Sequence, residues 1–401
     1  MRVLMLSWEY PPIVEGGLAR HVAGLAEQLH AQGAEVHVLT RGPQETKDEE
    51  RDGVLVHRVA QPTFPRDLDA FLCWVRDMNR EMSRLALRLT SEWEFDLVHS
   101  HDWLVADAAR TSARRLARPW VVTVHATEHG RHRGWVRTHP QSAIHRAERR
   151  MTRGADHLIT CSRSMREHVS EVFDVAPAQI TALRNGIDLR QLGDRTDTPA
   201  RSVRAGLAGP DELLVLLVGR LVHEKGFHLA LEALAPLVHG RRTDRPRVRF
   251  AVVGTGTAER ELHDQARRLR LGRAGAFLGW VADDRLPHLY RAADVCVVPS
   301  LYEPFGIVAL EAMASGCPCI VADTGGLREI VPPGDGVGLR VAPDDVPALR
   351  SALSRVLGDA ALRARLARAG REHAARFDWP RVAEATRAVY ARVLAQVPAR
   401  A

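Results

Sequence analysis

Short apolar runs rich in β-branched residues recur along this chain, at 2–7, 36–40, 54–59, 97–100, 120–124 and 157–161, with another ending near 183. A second series follows at 213–218, 248–252, 295–298 and 318–322. Most of these runs are followed by a turn and then a helix-length amphipathic stretch. Strands that are apolar without alternation fit a sheet buried on both faces, and their alternation with helices predicts a doubly wound parallel sheet. The fold class is therefore α/β, with ligands expected beyond the carboxyl ends of the strands. A chain of 401 residues is long for one core, which predicts two domains. The polar, Pro- and Gly-bearing stretch 193–211 reads as the linker between them.

The stretch 300–315 carries two carboxylates, Glu303 and Glu311, on either side of the start of an apolar helix. Glu303 lies on the loop leaving the run 295–298. Pro304 keeps Glu303 out of the α region, and Gly306 offers no side chain to hold a ligand off the backbone. The helix start that follows presents free N–H groups and a positive dipole end, which together favour a phosphate. Glu311 is surrounded by Ile307, Val308, Leu310, Ala312, Met313 and Ala314, so its carboxylate requires hydrogen bonds, which a ligand's hydroxyls could supply. The alternative is local, a capping Glu303 and a salt-bridged Glu311.

Other strand ends are also polar or glycine-rich. The first run leads through Trp8-Glu-Tyr10 into Gly16-Gly17 before a helix; Trp8 and Tyr10 suit either a sugar-stacking surface or core packing. His99-Ser-His-Asp-Trp103 and His125-Ala-Thr-Glu-His follow two further strands. His125 reads as a structural or a catalytic histidine, and Asp102 as a helix cap or a site residue. Asn185-Gly186 marks a turn. Lys47 and Lys225 are the chain's two lysines, all other strong bases being arginine. Arg220 and Lys225 follow the strand 213–218 and can reach a diphosphate. Gly254-Thr-Gly256 has a Glu where the third glycine of a dinucleotide loop would stand, which argues against a dehydrogenase. Thr324-Gly325-Gly326 reads as a further phosphate-side turn.

The formal charge of +7 is spread as arginines along helices with no basic tail or aromatic-interleaved stripe, which argues against a nucleic-acid partner and leaves anionic small ligands and acidic membrane surfaces open. No apolar run is long enough to span a bilayer, and the start of the chain lacks a secretion pattern. Cys73, Cys161, Cys296, Cys317 and Cys319 are an odd set in apolar surroundings, which predicts free thiols and a cytoplasmic location. Cys317-Pro-Cys319 lacks a second pair at zinc spacing, and the spacings of His129, His132, His139 and His145 fit no strong ligand pattern.

Glu303-x7-Glu311, with Pro304, Phe305 and Gly306 after the first Glu, resembles the signature of the retaining glycosyltransferases of family 4, which have the GT-B architecture of two Rossmann-like domains facing a cleft. The resemblance covers nearly the whole chain. It implies an N-terminal acceptor-side domain (1–192), a C-terminal domain binding a nucleotide sugar (193–378) and a final helix (379–401) that crosses back onto the first domain. It puts Glu303 on the donor sugar and Glu311 on the ribose, with the backbone of Phe305, Gly306, Ile307 and Val308 toward the diphosphate. Arg220 and Lys225 match the family's Arg-x4-Lys clamp. Gly16 and Gly17 lie close to donor phosphate and acceptor, and Asp102 and His125 line the sugar pocket. Asn185 becomes a donor contact, while Gly254 and the turn to Val281 flank the base. Glu303, His125, Asp102, Arg220 and Lys225 are thus the catalytic candidates. The resemblance implies neither a metal nor a cofactor, since nothing matches an Asp-x-Asp site.

Trp8-Glu-Tyr-Pro-Pro, Gly16-Gly17 and the His125 segment are similar to the short glycogen-synthase-like branch, which implies ADP- or UDP-glucose as donor and an α-1,4-glucan as acceptor. The longer bacterial synthases carry Lys-x-Gly-Gly where this chain has Val14-Glu15-Gly16-Gly17, and they lack the second Glu. That difference leaves mannosyl, N-acetylglucosaminyl or trehalose-forming transfer open. A GT-B epimerase or phosphorylase and a non-catalytic sugar-nucleotide sensor are the rival readings.

Overall fold

The computed structural model describes residues 1–43, 46–65, 67–193, 197–240 and 246–396. The chain divides into two compact units, one of residues 1–186 and 379–401 and the other of residues 187–378.

In the first unit the strands are β1 (Arg2–Leu6), β2 (Glu35–Gly42), β3 (Lys47–Arg51), β4 (Val54–Ala60), β5 (Leu97–His101), β6 (Trp120–Val124), β7 (His157–Thr160) and β8 (Ile180–Ala182). Their order is β3-β4-β2-β1-β5-β6-β7-β8, parallel except where β3 runs antiparallel to β4. The helices are α1 (Gly17–Ala31), α2 (Leu68–Glu92), α3 (Ala106–Leu116), α4 (Glu128–Arg131), α5 (Gln141–Gly154) and α6 (Arg163–Phe173). β5 and β6 are buried along their whole length, β6 as its apolar run requires and β5 together with the polar His99, Ser100 and His101.

The second unit contains α7 (Leu189–Gly193), α8 (Asp197–Leu207), β9 (Glu212–Val218), α9 (Phe227–His239), β10 (Arg247–Val253), α10 (Glu259–Arg268), β11 (Gly275–Phe277) and α11 (Leu286–Ala292). It continues through β12 (Val295–Val298), α12 (Ile307–Ala314), β13 (Cys319–Ala322), α13 (Leu327–Ile330), β14 (Leu339–Val341), α14 (Val346–Gly358) and α15 (Ala360–Ala374). Its strand order is β11-β10-β9-β12-β13-β14, all parallel. Both sheets are doubly wound, as expected from the apolar runs. Each has a switch point where successive connections diverge, between β1 and β5 in one unit and between β9 and β12 in the other, and such crevices are where ligands of this fold class bind.

The last helix, α16 (Trp379–Ala395), belongs to the first unit. It packs against α1, and the Tyr390 hydroxyl meets His99 Nδ1 at 2.6 Å. A Cβ on Gly24 or Gly186 would come within 2.6 Å of the Trp379 ring, so both glycines make room for it.

Two expectations need correction. The segment read as a linker, 193–211, contains α8, which is held by Arg204: its guanidinium donates to Ala292 O, Asp294 Oδ2 and Glu212 O at 2.6–2.9 Å. The chain also changes unit at 186 rather than 192. The Ile187 N–H bonds Phe377 O at 2.9 Å, and α7 packs on α12, so these residues belong to the second unit.

Candidate functional site

The β9–β12 switch point brings together residues far apart in sequence. β9 ends at Val218 and delivers Gly219-Arg220 and then Lys225; the neighbouring β12 ends at Val298 and delivers Ser300 and Glu303. Lys225 Nζ donates to Glu303 Oε2 at 2.7 Å, and Ser300 Oγ donates to the same oxygen at 3.0 Å. The Lys225 and Glu303 side chains are 20% and 10% exposed, so the pair sits at the surface of a crevice rather than in the core. Leu301 N bonds Glu224 O at 2.8 Å, tying the two loops together by backbone as well. Arg220 is exposed two residues beyond the strand.

Beyond this pair lies the start of α12. Gly306 is its N-cap at φ +109°, and a Cβ there would lie 2.5 Å from a Leu327 methyl carbon. The amides of Ile307 and Val308 precede the first one that bonds within the turn, Ala309 N to Gly306 O at 3.0 Å. Free amides and the dipole end make this an anion-binding position. Inside the helix Glu311 is buried, and the Tyr290 hydroxyl donates to its Oε2 at 2.8 Å. We expect Gly306→Ala to lower stability by about 2 kcal/mol, because it adds both left-handed backbone strain and a steric clash. Denaturant unfolding would show this, and an unchanged midpoint would contradict it.

The other glycines of this unit serve mainly to let loops touch. A Cβ on Gly325 would fall 2.0 Å from Glu303 O, and one on Gly326 2.5 Å from Phe305 Cα, while Gly326 N bonds Glu303 O at 2.9 Å. The 324–326 turn therefore buttresses the Glu303 loop from behind. Likewise Gly254, at φ +127°, abuts Gly219 O at 1.9 Å from its notional Cβ, and Gly256 abuts Leu221. Val281 is half-buried in the turn after β11.

In the first unit, Gly16 adopts extended backbone and a Cβ on it would meet nothing within 4 Å. Packing does not demand a glycine there; Gly17 opens α1. Tyr10 is fully buried, and Trp8 packs edge-on against Phe64, Phe71 and Trp74 with Arg41 over its ring. Tyr10 is therefore a packing residue, while Trp8 is half-buried in an aromatic cluster. Asp102 holds a left-handed conformation, φ +59°, and its Oδ1 accepts the backbone N–H of His125 at 2.7 Å. His125 Nε2 lies 3.0 Å from His101 Nδ1, and His21 packs edge-on against His125 with ring centroids 4.5 Å apart. Asn185 is buried beside His21.

Burial dominates the titration of this cluster. It pushes His99 and His125 down to about 3, His168 down to about 4 and both His21 and His101 well below the usual imidazole range. It also pushes Asp102 up to about 6, Glu9 to about 7 and Glu148 to about 8. For the histidines the unfolded chain binds more protons, so their contribution is complete above pH ~6.5 and lost as pH falls. For the three acids the folded chain binds more, so theirs is lost as pH rises toward 8. Because the lowered histidines outnumber the raised acids, stability should peak near neutrality and fall as pH drops below 6. Melting curves across pH 4–9 would check this; a maximum at pH 5 would contradict it.

The family model for glycosyl transferases group 1 matches residues 201–373, and that for Glycosyltransferase Family 4 matches residues 15–191. The glycogen synthase of Mycobacterium tuberculosis (strain ATCC 25618 / H37Rv) is 44% identical over 97% of this chain and 94% of its own length. The chain belongs to glycosyltransferase family 4. It is also 32% identical, over 98% of its length and 95% of the relative's, to a D-inositol 3-phosphate glycosyltransferase of Kineococcus radiotolerans. The solved sucrose-phosphate synthase of Thermosynechococcus elongatus superposes with a TM-score of 0.83 at 25% identity, covering 99% of this chain and all of that one.

In this glycosyltransferase, then, the GT-B fold places Arg220, Lys225, Glu303, Phe305, Gly306, Ile307, Val308 and Glu311 around one switch-point crevice. His125, Asp102 and Asn185 gather in the other unit. Sequence reasoning missed Ser300 and Tyr290, the donors that orient the two carboxylates, and His21 and His101 beside His125. Ser300 could have been found from its position on the signature loop; Tyr290 carries no local signal.

Proposed function

We propose that this glycosyltransferase transfers glucose, with retention, from ADP- or UDP-glucose to the 4-hydroxyl at the end of an α-1,4-glucan. The bond between the anomeric carbon and the diphosphate oxygen breaks, the acceptor oxygen bonds the same face, and the acceptor proton passes to the departing phosphate. The work of the protein is electrostatic. Arg220, Lys225 and the amides of Ile307 and Val308 neutralise charge growing on the diphosphate, and such preorganised contacts are worth about 3 kcal/mol each. Glu303 orients the sugar through hydroxyls, Glu311 the ribose, and the loop of Gly254 and the turn at Val281 hold the base. On the first unit, Gly16 and Gly17 admit the phosphate side and acceptor, Asn185 touches the donor, and His125, braced by Asp102, meets the sugar.

The observation that carries this reading is the Lys225–Glu303 pair beside the free amides of α12, in a chain 44% identical to a glycogen synthase. The two cations supply what a metal would, so we propose that transfer needs none and uses no cofactor. Four buried cysteines that form no disulfide support a reducing, cytoplasmic setting. Among the described residues no helix is long and apolar enough to cross a membrane.

The test is nucleotide release from a panel of sugar nucleotides, with glycogen, with inositol 3-phosphate and without acceptor. Release that requires glycogen supports the proposal. Release only with inositol 3-phosphate would move the enzyme to another acceptor class, and binding without turnover would make it a sensor.

A further inference from the structure

His21 on α1, His101 at the end of β5 and His125 after β6 each offer a ring nitrogen, and these three atoms lie within 4.8 Å of one another. Among the nitrogens of these rings, His101 Nδ1 and His125 Nε2 are 3.0 Å apart. Three nitrogens on one tetrahedral zinc ion stand about 3.3 Å apart, given bonds of 2.0–2.1 Å. Side-chain adjustments of roughly an ångström would therefore bring this triangle to ligand geometry.

Hydrogen bonding gives a second, independent indication. Nε2 of His101 is buried without a hydrogen-bond partner, and neither nitrogen of His21 makes a hydrogen bond of normal geometry, the Asn185 side chain being its nearby polar group. Such atoms gathered in one place are unusual, because buried polar groups are normally paired. Neighbouring His99 differs: Tyr390 and Thr123 engage its two nitrogens, so it is not available as a ligand. Imidazole suits zinc, copper, nickel and cobalt, and the carboxylate of Asp102, bonded to the backbone of His125, supplies compensating negative charge.

We propose that His21, His101 and His125 form a three-histidine site for a divalent transition-metal ion, zinc foremost, and that its occupation inhibits the enzyme. An ion held through His125 withdraws that imidazole from the sugar. The site itself does not depend on the proposed transfer reaction; the inhibition does, through the role of His125.

The test uses the full chain, stripped with a chelator and titrated with Co2+ and then Zn2+ at neutral pH. We expect one equivalent of Co2+ to give the visible bands of a tetrahedral nitrogen-ligated ion, and Zn2+ to displace it. Glucosyl transfer should fall at least tenfold with one equivalent of zinc and recover with chelator. His21→Phe keeps an aromatic ring against Trp379 but removes the nitrogens. It should lose both the bands and the inhibition, with circular dichroism unchanged and whatever metal-free activity it retains no longer lowered by zinc. Absence of tetrahedral bands in the wild-type chain, or bands that persist in His21→Phe, would overturn the site without touching the transfer reaction. Binding through His21 that leaves transfer unimpaired would overturn the inhibition, and with it the placing of His125 on the sugar.

Discussion

Glu303→Ala is expected to lower turnover by about two to three orders of magnitude, the range seen when one preorganised contact to a transition state is removed. The reasoning is geometric. One carboxylate oxygen of Glu303 is held by Lys225 at 2.7 Å and Ser300 at 3.0 Å, which fixes the group in the orientation that the proposed sugar contact requires. The loop does not depend on that side chain, because Gly326 N bonds the backbone carbonyl of Glu303 at 2.9 Å and the glycines at 325 and 326 pack directly on it. Melting behaviour should therefore change little while steady-state kcat collapses. Near-wild-type turnover would remove Glu303 from the chemistry.

Lys225→Met should be the next most damaging change, and its signature differs. It removes a cation from the proposed diphosphate clamp, which should raise KM for the nucleotide sugar and lower kcat together, by a hundredfold or more in kcat/KM. It also strands the Glu303 carboxylate, only 10% exposed, with Ser300 as its remaining side-chain donor. Breaking a buried pair from one side costs about 3–5 kcal/mol, and less for a pair partly open to water; a loss of about 2 kcal/mol is expected here. Combining Lys225→Met with Glu303→Gln removes the stranded charge. The double variant should regain much of the stability but none of the activity, a coupling that a double-mutant cycle reads directly. Additive stability losses would show that the two side chains do not act as a pair.

The sheets were legible because strands buried on both faces are mostly apolar: β12 is wholly so, and β1, β6 and β9 depart from it at one residue each, whereas β5 carries His99, Ser100 and His101 in its buried length. The edges were not. β3 is Lys-Asp-Glu-Glu-Arg, with no apolar face to read, and β11 and β14 have three residues each. The helix α8 was hidden in a polar stretch whose order depends on Arg204 reaching three acceptors in distant segments. The same distinction holds at the site. Glu303 and Glu311 announce themselves by their cost in an apolar helix and its entry loop. Tyr290, which satisfies Glu311 from 21 residues away, and His21, which meets His125 only after the chain has crossed from α1 to β6, have no local pattern to betray them. Glycines carry a second meaning that the sequence does not show: at 325 and 326 the space a Cβ would take is filled by the loop that carries Glu303.

The most direct test is a crystal structure of the protein with a nucleoside diphosphate glucose bound. The diphosphate should lie within hydrogen-bond reach of Arg220, Lys225 and the amides of Ile307 and Val308, with a glucose hydroxyl on Glu303 and the ribose on Glu311. A nucleotide bound elsewhere, with the Lys225–Glu303 pair untouched by it, would contradict the account.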